Sequence, residues 1–260
     1  MTEQDFKIFG KQNAPLIFYF HGAPGSIEDG ILFEEIANSV GIGICAINYL
    51  SFGGQYIEKC AQIIKDKSQD KKPIIIGFSI GAMVAIKVQK ALNNIADLYL
   101  ISPAMPLNDF KIAKQMAGFI VFDSAKNKIA SFNILIFASS IIAKIAPKFL
   151  INSLFASAPK IEKELFANFG IMHNQLWAMK NSFIDFPNAY KKLIIEYANW
   201  EGGELNDLNI KEIHQGNIDN WAPIELLQNA MPNQNVTIHD KKGHYSTLLA
   251  AMAKILQSTI

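Results

Sequence analysis

The apolar run Pro73-Ile74-Ile75-Ile76 leads directly into Gly77-Phe78-Ser79-Ile80-Gly81, and then into Ala82-Met83-Val84-Ala85-Ile86-Lys87-Val88. A short isoleucine-rich run reads as a buried strand and the longer segment after it as a helix, so the residues between them must turn the chain sharply. Glycines two before and two after the serine remove the side chains that would hold strand and helix apart. Ser79 is thereby thrust out of the sheet in the strained backbone of a nucleophile at a strand-turn-helix tip. The structural alternative makes it an ordinary helix N-cap, and the rest of the chain bears on the choice.

Apolar strand candidates alternate with helical patterns over most of the 260 residues. The strands read as Leu16 to Phe20, Ile42 to Asn48, Ile74 to Phe78, Leu98 to Ile101, Ile210 to His214 and Val236 to His239. Helices read near Phe33 to Val40, Ile57 to Lys65, Ala82 to Leu92, Ile224 to Gln228 and Ser246 to Leu256. Such alternation predicts a mostly parallel sheet with helices on both faces. It stops from about Leu107 to Trp200, where the chain is rich in Phe, Ile, Ala and Met and punctuated by Pro147, Pro159 and Pro187. The expected organisation is a core of residues 1–106 and 201–260 interrupted by a helical cap, 107–200.

Composition excludes several classes. With 24 basic and 23 acidic residues the formal net charge is +1, which offers no argument for nucleic acid. Cys45 and Cys60 are too few for a disulfide framework or a zinc site and fit a reduced, cytoplasmic interior. The segment Met1 to Lys7 carries early acids and no apolar run of the kind a secretory signal needs. Ile129 to Ala143 is apolar, but Lys144, Pro147 and Lys148 end it short of the ~20 residues a membrane span requires. Cap helices are the expected reading there; the flanking Lys126, Lys128, Lys144 and Lys148 leave contact with a membrane surface as an alternative.

A second turn, His21-Gly22-Ala23-Pro24-Gly25-Ser26, follows the strand Leu16 to Phe20. If Ser79 attacks a carbonyl, the developing oxyanion needs two donors, and the backbone N–H groups of Ala23 and Ile80 are the natural pair. A base and its orienting acid are expected later in the chain. Asp219 sits in a loop after one predicted strand and His244 in a loop after the next, so both reach the carboxyl edge of the sheet, where such folds place their chemistry. His244 would take the proton from Ser79 and Asp219 would hold its tautomer. Asp240 lies too near His244 in sequence to reach its far nitrogen, Asp97 starts a strand at the opposite edge, and His173, His214 and His239 read as structural. His21 is expected to fix its loop by hydrogen bonding.

Together, His21-Gly22-Ala23-Pro24-Gly25, Gly77-Phe78-Ser79-Ile80-Gly81, Gly216 to Asp219 and Gly243-His244 resemble the α/β-hydrolase superfamily over essentially the whole chain. Within it the chain is similar to small capped serine hydrolases such as carboxylesterases, proline iminopeptidases and C–C bond hydrolases. The resemblance implies a mostly parallel sheet of about eight strands with the cap after the sixth, no metal and no organic cofactor. Ser79 stands where the epoxide hydrolase and dehalogenase branches have aspartate, which disfavours them. The Gly22-Ala23 pair departs from the iminopeptidase loop, and Ser51-Phe52-Gly53-Gly54 lacks the basic residue of a related family loop. The expected substrate is a small carboxylic ester or thioester with an apolar acyl part, cleaved through an acyl-serine. Aminopeptidase or C–C bond hydrolysis and a non-catalytic ligand-binding or membrane-surface role are the alternatives. The expected pocket comprises His21, Gly22, Phe78, Phe132, Phe155, Trp177 and Tyr245.

Overall fold

In the computed structural model, which describes residues 4–68 and 71–258, the strands are β1 (Phe6–Gly10), β2 (Leu16–Phe20), β3 (Gly43–Ile47), β4 (Ile74–Phe78), β5 (Asp97–Ile101), β6 (Ile210–Gly216) and β7 (Val236–His239). Met1 to Glu3 of the amino-terminal segment lie outside the described residues. One sheet holds all seven strands in the order β1-β3-β2-β4-β5-β6-β7. Only β1 is antiparallel, pairing Phe6 with Ile47 and Gly10 with Gly43; the other pairings are parallel.

Parallel neighbours need crossovers, and helices supply most of them. These are α1 (Glu34–Val40), α2 (Tyr56–Ser68), α3 (Ile80–Ala91) and α11 (Ile224–Ala230), with α12 (His244–Ser258) closing the chain. The two-residue period of β2 shows how the layers are filled. Ile17 and Tyr19 pack with Leu248 and Met252 of α12 on one face, whereas Phe18 and Phe20 pack with Ile64 of α2 and Val84 of α3 on the other.

Between β5 and β6 lie α4 (Phe110–Ala113), α5 (Phe119–Asn127), α6 (Ile129–Ile145), α7 (Pro147–Leu154), α8 (Lys160–Phe166), α9 (Phe169–Lys180) and α10 (Pro187–Ala198), with a π-helical turn at Asn181–Asp185. Seven α-helices and this turn thus occupy the chain between β5 and β6. Among the described residues the sheet has seven strands, where the family resemblance implies about eight with the cap after the sixth, and the inserted helices follow the fifth of them because one strand fewer precedes them. Strand β1 is not among the apolar strand candidates because Phe6-Lys7-Ile8-Phe9 is a short, partly exposed edge segment whose alternation is too brief to stand out. Helices α3 and α12 begin two residues earlier than their apolar periodicity suggests, at Ile80 and His244.

Asp29 is nearly fully buried in the turn after β2. Burial pushes its carboxyl up to about 7, the neighbouring Tyr19 hydroxyl offsetting only part of that effect. A carboxyl whose folded-state pKa is raised contributes stability at low pH that is lost as pH rises through the folded value. Stability to urea should therefore fall by ~4 kcal/mol as pH climbs from the ordinary carboxyl value of 3.8 through about 7. Asp29→Asn should flatten this dependence; an unchanged slope would show that Asp29 is ionised in the fold.

Candidate active site

Ser79 directly follows β4 with φ 56° and ψ −129°, a left-handed conformation that non-glycine residues rarely adopt. Its side chain caps no backbone N–H of α3, which removes the N-cap alternative. The two glycines permit the turn for a steric reason. A Cβ on Gly77 would lie 2.6 Å from the Ala82 Cα and 2.8 Å from the Ala85 Cβ. On Gly81 it would lie 2.2 Å from the His21 carbonyl oxygen and 2.4 Å from that of Phe20. Helix α3 thus lies against both β4 and the end of β2, closer than any side chain allows.

The same contact brings the loop after β2 beside the serine. A Cβ on Gly22 would stand 3.2 Å from the Ser79 Cβ. The loop is held from beneath by Tyr49, whose hydroxyl donates to the carbonyls of His21 (2.9 Å) and Gly22 (3.1 Å). His21 is fully buried and stacks on Tyr49 at 4.4 Å, and its Nδ1 lies 2.7 Å from the Gly22 carbonyl. Burial lowers its pKa to about 4, so it is neutral at pH 7 and its Nδ1–H donates. His21 therefore holds the loop and does not line the cavity. Among the described residues, neither Ala23 N–H nor Ile80 N–H donates a hydrogen bond outside the helix ladder. Ile80 is the first residue of α3, where an N–H has no intrahelical acceptor.

Asp219 and His244 arrive from the ends of β6 and β7. Gly216 lets these loops meet, since a Cβ there would lie 2.2 Å from the Lys242 carbonyl oxygen. The Asp219 Oδ1 accepts the N–H groups of Trp221 (2.9 Å) and Ala222 (3.0 Å). Its Oδ2 accepts Gln215 Nε2 (3.2 Å) and lies 2.7 Å from His244 Nδ1. A buried carboxylate with that many donors orients the imidazole with Nδ1 protonated and leaves Nε2 as the acceptor. The ring packs on Phe78 at 4.8 Å between centroids.

Ser79 and His244 line one small cavity with Gly22, Ala23, Pro24, Phe78, Leu154, Phe155, Trp221 and Tyr245. No hydrogen bond joins Ser79 Oγ to the imidazole in this structure; such bonds commonly tighten only with substrate in place. Of the expected pocket, Gly22, Phe78, Phe155 and Tyr245 are in the lining. Phe132 is instead a fully buried core residue, and Trp177 is 40% exposed on α9, where its indole donates to His173. Trp221 takes the place expected of Trp177. Its position two residues after Asp219 was the available clue. Asp240 accepts from Asn217, and Asp97 pairs with Lys72 at the far edge of the sheet. His214 and His239 bond to each other at 2.9 Å within β6 and β7.

Two tethers from the inserted helices were not legible in the sequence. The buried Glu162 of α8 accepts the N–H groups of Tyr245 (2.8 Å) and Ser246 (3.0 Å) and the Ser246 hydroxyl (2.5 Å), at the N-terminus of the helix that His244 begins. A carboxylate there also meets the positive end of the helix dipole. In the π-helical turn, Ser182 Oγ accepts the Gly25 N–H (3.2 Å), and Asn181 donates to the Gly25 carbonyl (2.9 Å).

No family model matches this chain, and no curated protein matches it. Solved structures do. They include a bromoperoxidase from Bacillus anthracis (14% identity, TM-score 0.62, covering 98% of this chain and 92% of that one). A carboxylesterase from the thaumarchaeon Nitrososphaera gargenis is similar too (12%, TM-score 0.62, 98% and 95%). So is a thioesterase domain from the curacin biosynthetic pathway (12%, TM-score 0.58, 97% and 94%). These likenesses establish that the chain has the α/β-hydrolase fold.

Glu162→Ala removes three acceptor contacts and leaves two N–H groups buried, so it should lower stability by roughly 3 kcal/mol. Glu162→Gln, which keeps one carbonyl acceptor, should lose less. Equal urea midpoints for wild type and Glu162→Ala would show that the tether contributes nothing.

Proposed function

We propose that this α/β-hydrolase-fold chain is a serine hydrolase acting on a small ester or thioester with an apolar, uncharged acyl part. The observation that carries the proposal is the buried 2.7 Å contact between Asp219 and His244 on the wall of the cavity that Ser79 enters without capping its helix. The carboxylesterase and the thioesterase domain among the like-folded structures agree with it.

In the reaction, Ser79 Oγ attacks the acyl carbonyl carbon as His244 Nε2 takes its proton. The charge on the carbonyl oxygen is received by the N–H groups of Ala23 and Ile80, each such donor being worth ~10² to 10³ in rate. Asp219 holds the imidazole and stabilises it once protonated. His244 then returns the proton to the departing alcohol or thiol, leaving an acyl-Ser79. Water, deprotonated by the same imidazole, attacks the acyl carbon and frees the acid and Ser79.

The lining supports the substrate class. It contains Phe78, Leu154, Phe155 and Trp221 and, among the described residues, no carboxylate, so it has nothing to pair the ammonium of a peptide amino terminus. This weighs against an aminopeptidase.

A fluorophosphonate probe should label wild type and fail to label Ser79→Ala of equal stability. Asp219→Asn should lower kcat on p-nitrophenyl esters by roughly 10⁴. Labelling that survives the serine substitution would overturn the assignment. Because Leu154, Phe155 and Trp221 close the small cavity, short acyl chains should be the best substrates and Phe155→Ala should move the optimum to longer ones. An unchanged chain-length profile in Phe155→Ala would place the acyl site elsewhere.

A further inference from the structure

Helix α6 is apolar on two opposite faces. At ~100° per residue, Phe132, Ile136 and Ala143 share the face that is buried against the neighbouring helices. Ile134, Phe137, Ile141 and Ile145 fall within an arc of roughly 80° on the other side. Their exposures are 69%, 69%, 44% and 77%, and Phe149 at the start of α7 adds 64%. A surface helix normally turns polar residues to water. A contiguous exposed apolar face marks a surface that something covers.

Charge selects the occupant. Between Asp123 and Glu162 the chain carries Lys126, Lys128, Lys144, Lys148 and Lys160 and not one acidic residue, although the whole protein is nearly neutral. Lys144 lies about 20° around the helix from Phe137, and Lys148 precedes Phe149. Neither lysine joins an ion pair among the described residues, whereas Lys128 is paired with Asp123. Apolar side chains bordered by unpaired lysines match a surface with an oily interior and anionic headgroups. No helix among the described residues is long and apolar enough to cross a membrane, so α6 would lie in the interface.

We propose that the outer face of α6, together with Lys148 and Phe149, docks on an anionic lipid bilayer. The docking does not depend on the catalytic assignment. The test is cosedimentation of the full chain with vesicles of phosphatidylcholine alone or of equimolar phosphatidylcholine and phosphatidylglycerol, at low and high salt. The anionic vesicles should retain the protein, less so at high salt, and the neutral ones should not. Lys144→Gln/Lys148→Gln should bind roughly 30-fold more weakly, and Phe137→Glu/Ile141→Glu should not bind. Ser79→Ala should bind like wild type, and every variant should unfold at the wild-type urea concentration. Absence of binding to anionic vesicles would overturn the proposal, as would equal retention by neutral vesicles with no effect of the lysine substitutions. So would a wild-type dimer in analytical ultracentrifugation that Phe137→Glu/Ile141→Glu converts to monomer, which would assign the face to a second copy of the chain.

Discussion

Everything at the candidate site depends on how closely the backbone of α3 approaches the sheet. Gly81 lies against the Phe20 and His21 carbonyls, and Gly77 lies against the Ala82 Cα and Ala85 Cβ, at distances that exclude any Cβ. That approach sets three things at once. It holds Ser79 at positive φ, aims the first N–H groups of α3 at the space beyond the sheet edge, and carries the Gly22-Ala23 turn to within van der Waals reach of the serine. Strain at Ser79 is tolerated because the flanking packing leaves no other path for the chain. Hydrogen bonds from Ser79 N–H to the Ile101 carbonyl and from Ala104 N–H to the Ser79 carbonyl fasten the turn to the end of β5.

The inserted helices do more than cover this edge. Glu162 fastens α8 to the N-terminus of α12, where His244 sits, while Asn181 and Ser182 fasten the π-helical turn to Gly25 in the loop that carries Ala23. Asn48, at the end of β3, donates to the Asn181 Oδ1 and so links that turn to the core. Both loops nearest the serine thus take part of their position from residues more than a hundred positions or about eighty positions away in the chain. Rearrangement of α8 or of the turn would alter the surroundings of His244 or Ala23 without touching Ser79.

What the sequence displays and what it hides divides along the same line. Ser79, Asp219 and His244 could be placed at one end of the sheet because each stands within three residues of a glycine and each follows a strand candidate, of which only the one before Ser79 is a clear apolar run. Glu162 was not legible, since Lys160-Ile161-Glu162-Lys163-Glu164 looks like any solvated helical turn until tertiary packing buries one of its acids. Phe132 and Trp177 were expected at the pocket from size and apolarity, and those properties do not say which way a helix faces. Phe132 is on the core side of α6, and Trp177 is turned toward His173 and solvent. Strand β1 was missed because an edge strand needs only one apolar face and five residues leave its period ambiguous.

Burial also decides which groups near the serine carry charge. It lowers the His21 imidazole to about 4, raises the Asp29 carboxyl to about 7, and drives the Tyr245 hydroxyl far above its ordinary range. Near neutral pH the imidazole and the phenol are neutral. Four donors surround the two oxygens of Asp219, and α12 supplies three to Glu162. Neither carboxylate is in the cavity lining. The substrate proposed above, which arrives uncharged and develops negative charge on its carbonyl oxygen, suits this distribution, because the backbone N–H groups at Ala23 and Ile80 make no hydrogen bond outside the helix ladder among the described residues.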